Sequence, residues 1–171
     1  DCTGYRLDGT DTEHNMYVGI IINRSLADTT DSVTGLGDIH ALVNAIGEMR
    51  RVARKAGLVA IKIDDIAQVN ARFGFDAGDR VLAESAACLM DCSRGKGRLF
   101  RSTGPMFVAL FDEFDPEETD AIAKEIERFL GSPVLFGSFE YQPPLRVATL
   151  HLDTVDRQPV SILNELKALL E

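Results

Sequence analysis

Asp64-Asp65-Ile66-Ala67-Gln68-Val69-Asn70-Ala71-Arg72-Phe73-Gly74-Phe75-Asp76-Ala77-Gly78-Asp79-Arg80-Val81-Leu82 is the stretch on which the fold is read. Asp64 offers an N-cap to a short helix running to about Phe73. Gly74 to Gly78 reads as a loop, and Asp79 to Cys92 as a second helix with Val81, Leu82, Ala86 and Leu89 facing inward. Immediately upstream, Leu58-Val59-Ala60-Ile61-Lys62-Ile63 is a short, largely apolar run, the pattern of a buried strand. Before it, Ile39, Leu42, Val43, Ile46, Met49 and Ala53 fall on one helical face, and Gly57 is placed as the stop of that helix.

Downstream, Arg98 to Ser102 and Met106 to Phe111 read as two strands joined at Thr103-Gly104-Pro105, a hairpin. Pro116 opens a helix to Leu130, with Ile122, Ala123, Ile126 and Phe129 on its inner face. Leu145 to Leu152 alternates as a strand, and Val160 to Leu170 closes as an amphipathic helix. This alternation predicts the α/β class, an α+β sandwich with a central mixed β-sheet flanked by helices. Ahead of it, Tyr5 to Ser25 reads as two strands around a polar turn, and Ala27 to Ser32 as a linker or helix start.

Composition narrows the function. The 171 residues are 45% hydrophobic and 26% charged, so one domain with an appendage can bury its core without metal or disulfide help. A net charge of −9 repels phosphate backbones, which argues against general nucleic-acid binding but leaves a mononucleotide site open. Cys2, Cys88 and Cys92 cannot all pair, and Cys88 and Cys92, four residues apart on a helix, read as buried thiols rather than metal ligands. His14, His40 and His151 are dispersed, so no metal site is expected. The cysteine usage points to a reducing, cytoplasmic compartment. No apolar run is long enough to span a membrane, so no membrane contact is expected of this segment. The chain begins at Asp1 rather than Met, so a piece of a longer protein, whose other parts could include membrane spans, is expected.

Three segments resemble the GGDEF family of diguanylate cyclases. Asp31-Ser32-Val33-Thr34-Gly35-Leu36 is similar to the family's opening D-x-L-T-G-L. In the quoted stretch Asp64, Asn70, Gly74, Gly78, Asp79, Val81 and Leu82 match D-x-F-K-x-I-N-D-x-Y-G-H-x-x-G-D-x-V-L in register. Arg101-Ser102-Thr103-Gly104-Pro105-Met106-Phe107 stands in place of R-x-G-G-D-E-F, making Thr103 to Phe107 the signature loop. The resemblance implies a nucleotide-cyclase palm-like fold over residues 31–171. Residues 1–30, through Tyr17 to Ser25, resemble the terminal strands and linker of a PAS sensory domain.

The departures decide the expected activity. In the family, an acid on the first strand and the third signature residue hold magnesium; here they are Lys62 and Pro105, and the fourth signature acid is Met106. Magnesium takes carboxylate oxygens, and phosphoryl transfer depends on the metal to neutralise developing charge. The domain is therefore expected to be degenerate and not an enzyme, with no catalytic residues and no metal. Magnesium would be needed only if cyclase activity survived. The product-inhibition motif R-x-x-D reads Arg94-Gly95-Lys96-Gly97, without its acid. The late basic run that grips the triphosphate in the family is absent, with Lys167 the nearby cation.

Four positions remain as nucleotide-binding candidates. The resemblance puts Asn70 and Asp79 at the guanine base, where an amide and a carboxylate suit its donor–acceptor edge. Alternatively Asn70 satisfies the loop backbone and Asp79 caps the helix it starts. Lys62 and Asp64, two apart on a strand, share a face. They form either a salt bridge in place of the metal or a direct phosphate contact through Lys62. The acids from Asp112 to Glu118 read as solvated capping groups.

The expected role is thus a signalling or regulatory domain at the output end of a sensory protein, with neighbouring sensory or effector domains, GTP and a second copy of the chain as candidate partners. GTP capture without turnover and residual synthesis of cyclic di-GMP are the rival readings.

Overall fold

The computed structural model describes residues 29–52, 54–93, 95–113, 115–136, 139–142, 144–154 and 156–171. The PAS-like strands expected at 5–25, and Ala53, lie outside them. The elements are α1 (Ile39–Arg51), β1 (Ala56–Ile63), α2 (Ile66–Phe73), α3 (Phe75–Ser93), β2 (Arg98–Arg101), β3 (Met106–Asp112), α4 (Pro116–Leu130), β4 (Val134–Phe136), β5 (Phe139–Tyr141), β6 (Leu145–Leu152) and α5 (Pro159–Leu169).

Four strands form one sheet in the order β2-β3-β1-β6. The expected α/β layering holds, but all three strand pairings are antiparallel. An isolated bridge between Gly37 and Phe100 supplies the only parallel contact among the described residues. The helical crossovers do produce strands of like direction. The hairpin partner β3 lies between β1 and β2, and β1 between β3 and β6, so like-directed strands never pair. The short β4–β5 ribbon carries no signal that separates it from a loop in the sequence.

Alternation along the strands sorts the core into two layers. Leu58, Ala60, Val108 and Leu110 meet Leu42, Ile46 and Met49 of α1 and Ile162 and Leu166 of α5. Val59, Ile61, Phe107, Ala109 and Phe111 meet Val69, Val81, Leu82, Leu89 and Ile126 of α2, α3 and α4. Phe107 and Phe111 are fully buried, and truncating either to alanine would cost about 3–5 kcal/mol.

Local details differ from expectation at three places. Gly57 does not stop α1, which ends at Arg51; it lies inside β1, where a Cβ would come 2.3 Å from Thr119 Oγ1. The glycine therefore lets α4 approach the sheet. Gly74, with φ +90, makes the whole turn between α2 and α3, so the residues from Phe75 to Gly78 are helical rather than a loop. In α4, Leu130 is buried and Phe129 is exposed under the Arg128 guanidinium. Asp115 caps α4 by accepting from the Glu118 N–H, with Pro116 in the first turn, as read from the sequence.

No helix among the described residues is long and apolar enough to cross a membrane. Cys88 and Cys92 pack with their sulfurs 4.0 Å apart, and burial pushes the Cys92 thiol up to about 12.

Candidate nucleotide site

The site forms where β1 ends. Lys62 interrupts the apolar run of that strand and lies opposite Met106 of β3 and Arg146 of β6, so the three side chains share one face. The Ile63 N–H donates to Pro105 O at 3.1 Å and carries the ladder onto the hairpin tip. The tip closes through Ser102 N to Met106 O at 2.8 Å and Met106 N to Thr103 O at 3.1 Å, with Gly104 at φ +55. Arg101 braces it, donating to Gly104 O at 3.0 Å.

Asp64 does not cap α2. The residue before that helix is Asp65, in the left-handed region at φ 63 and making no side-chain cap. The Asp64 carboxylate is held in a fork by Arg146, with Nε 2.6 Å from Oδ2 and Nη2 2.9 Å from Oδ1. Lys62 Nζ stands farther off, at 3.7 Å. The Arg146 hydrogen bonds, more than the Lys62 charge, hold the Asp64 carboxyl below the usual carboxylate range against the opposing effect of burial. The expected Lys62–Asp64 pair is thus present, but second to one the sequence did not announce. Arg146 also donates to Leu170 O at 2.6 Å and Glu171 O at 3.0 Å, closing the C-terminal end of α5. Its one sequence signal is a charge on the strand face that packs the partly buried Ala148 and Leu150 against the core.

These residues do not fit magnesium. Lys62 offers an ammonium, Pro105 an imino-acid ring, and both oxygens of Asp64 are engaged by Arg146. Among the described residues no three His, Cys, Asp or Glu side chains gather as metal ligands. Met106 is buried, and Phe107 is a core residue of the opposite layer. Thr103, Pro105 and Met106 line a cleft of about 180 Å³ with Lys62, Lys167, Leu170 and Glu171.

The candidate base site lies on the α2–α3 pair. A Cβ on Gly78 would lie 1.9 Å from Asn70 Oδ1, so only glycine lets the Asn70 amide lie against α3. That oxygen is buried and takes no hydrogen bond among the described residues, a costly state for an amide. Asn70 does not satisfy the loop with its side chain; its backbone carbonyl accepts from Gly74 N at 2.9 Å. Asp79 is exposed and sits inside α3, which starts at Phe75, so it is not a cap. At the product-inhibition position, Gly97 has φ +79 and a Cβ there would strike the Phe111 ring at 2.5 Å. Arg94 of that motif lies outside the described residues.

Comparison with known proteins bears on the whole arrangement. The family described as "Diguanylate cyclase, GGDEF domain" matches residues 28–132. Diguanylate cyclase DgcS of Shewanella oneidensis is 29% identical over 84 residues, covering 47% of this chain and 28% of its own length. The chain thus spans under a third of that relative. Among solved structures, the FimX GGDEF domain of Pseudomonas aeruginosa superposes with a TM-score of 0.77 at 17% identity, over 84% of this chain and 92% of that one. Diguanylate cyclase SiaD of the same organism, in complex with its activator SiaC, gives 0.76 at 20% identity, over 92% of this chain and 60% of that one. The structural likeness carries the fold, and the family match, over more than half of the chain, carries kinship: this chain belongs to the GGDEF family of diguanylate cyclase domains.

Proposed function

We propose that this is a non-catalytic GGDEF-family domain in cyclic di-GMP signalling, the cytoplasmic output part of a longer sensory protein, acting through contact with neighbouring domains or a partner chain. The observation that carries the reading is the Asp64–Arg146 fork with Lys62 beside it. Where resemblance places carboxylates for two cations, the chain presents the Lys62 ammonium and the Pro105 ring, and the Asp64 carboxylate nearby is already neutralised by Arg146. Regulation by protein contact has a precedent in the fold, since SiaD is bound by its activator SiaC. The test is incubation with GTP and magnesium, with chromatography for cyclic di-GMP. No product is expected, and its appearance would establish the rival cyclase reading. Restoring acids with Lys62→Asp and Pro105→Asp is expected to raise magnesium affinity by calorimetry. Adding Met106→Glu would place a charge at a buried position and is expected to lower stability instead.

A second reading, capture of GTP without turnover, is favoured by the unpaired Asn70 oxygen beside Gly78 and Asp79. Its test is a GTP titration followed by melting temperature, which rises if the folded state binds.

A further inference from the structure

We propose that Cys88 and Cys92, on successive turns near the C-terminal end of α3, form a two-coordinate site for a soft monovalent cation, copper(I), held between their sulfurs. Cys88 lies about 15 Å farther along the helix than Gly78, so the site owes nothing to the nucleotide reading. Both thiols pack in the layer of Leu89, Ala123 and Ile126, as buried thiols do. Their placement relative to each other is what adds a function.

The two sulfurs lie 4.0 Å apart. Metal–thiolate bonds of about 2.3 Å set two sulfurs about 4.0 Å apart at a bent angle and about 4.6 Å apart in line. The pair stands within a small side-chain rotation of either arrangement. A disulfide fits less well. Its sulfurs are about 2.05 Å apart and its Cβ atoms about 3.5–4.5 Å, whereas Cβ atoms one turn apart on a helix are separated by about 5–6 Å. Thiolate sulfur selects soft ions. Zinc takes four ligands, and among the described residues no third His, Cys, Asp or Glu joins the pair. Copper(I), which is content with two, is the soft ion that the donor set suits. Cys88 is partly exposed and gives the ion its way in, while Cys92 is only 7% exposed and keeps water from the inner sulfur. Burial first, then Cys88 and the carboxylates of Glu125 and Asp91, push the Cys92 thiol up to about 12. Burial also raises the Cys88 thiol, so both sulfurs carry protons when the ion arrives. The same two carboxylates supply negative charge that attracts it. Each S–H proton passes to solvent as its S–Cu bond forms; no electron is transferred, and copper stays monovalent. The bridge staples the last turn of α3, from which the chain leads into β2.

The experiment is titration of the reduced, purified chain with copper(I) under nitrogen, in competition with a chromophoric copper(I) chelator. One ion per chain is expected, with a rise in melting temperature and the release of about two protons, read by calorimetry in buffers of different ionisation enthalpy. Cys88→Ser and Cys92→Ala should each weaken binding about a hundredfold or more, because the second sulfur of a chelating pair binds intramolecularly. Cys2→Ser should leave binding unchanged, and an equal concentration of zinc should not displace the copper. Melting curves confirm that each variant is folded, and Cys88→Ser, at the more exposed position, is the one on which the test turns. No copper withdrawn from the chelator, one ion shared between two chains, loss of binding in Cys2→Ser, or an unchanged affinity in folded Cys88→Ser would overturn the proposal.

Discussion

Arg101 Nη1 lies 3.0 and 3.2 Å from the two carboxylate oxygens of Asp31, joining residues 70 positions apart. Asp31 is the centre of its own turn, accepting from Thr34 N at 2.9 Å and Thr34 Oγ1 at 2.7 Å. The pair fastens the opening motif to the signature hairpin, so the two ends of the family pattern are one mechanical unit. Burial raises the Asp31 pKa, but the Thr34 and Arg101 hydrogen bonds outweigh it and hold the group low. A carboxyl whose pKa is lower folded than unfolded stabilises the fold fully above the ordinary carboxylate range. That stabilisation is lost as pH falls through the depressed value. Arg101→Met should lower stability at pH 7 by about 1–3 kcal/mol and move acid unfolding to higher pH. Urea denaturation at pH 7 and an acid titration by circular dichroism check this; superimposable curves would show that the pair holds nothing.

Arg146 joins Asp64 to the carbonyls that end α5. Arg146→Met should free those carbonyls to solvent and let the last turn fray. Hydrogen exchange at residues 166–171 is then expected to accelerate while the core of β1 stays protected. Because the folded pKa of Asp64 is depressed, the wild-type contribution of this pair is also present at neutral pH and lost on acidification. Uniform exchange in the variant would mean that the α5 end is held by packing alone.

Gly78 separates a binding role for Asn70 from a structural one. Gly78→Ala forces the Asn70 amide away, since the new Cβ would sit 1.9 Å from its oxygen. If GTP is read there, affinity should fall at least tenfold. In an Asn70→Ala background the obstacle is gone, and Gly78→Ala should then stabilise α3 by about 0.5–1 kcal/mol, the helix preference of alanine over glycine. A destabilised double variant would place the constraint on Gly78 elsewhere.

Gly97 occupies the position where the family's inhibitory motif carries its acid. With φ +79 and the Phe111 ring 2.5 Å from a hypothetical Cβ, it admits no side chain. Gly97→Asp should cost about 2–4 kcal/mol from left-handed strain and overpacking. It should also fail to create affinity for cyclic di-GMP, which a titration of the folded variant checks. Micromolar binding by that variant would show that the hairpin can rearrange.

The sequence by itself determined what is written in short-range spacing. The α2–α3 pair, the hairpin, the Asp115-Pro116 start of α4 and the strand Leu145–Leu152 rest on periodicity, caps and turn residues only a few positions apart. So do the family match and the exchange of acids for Lys62 and Pro105. Only the tertiary structure decided that Asp64 belongs to Arg146, 82 residues away, and Asp31 to Arg101. It also decided that Gly57 clears room for Thr119, that Leu130 rather than Phe129 faces the core, and that like-directed strands are kept apart. The reason is physical: a cap or an amphipathic face is fixed by neighbours within one turn of chain. The register of β1 between β3 and β6, which brings Lys62, Met106 and Arg146 side by side, is set by both core layers packing at once.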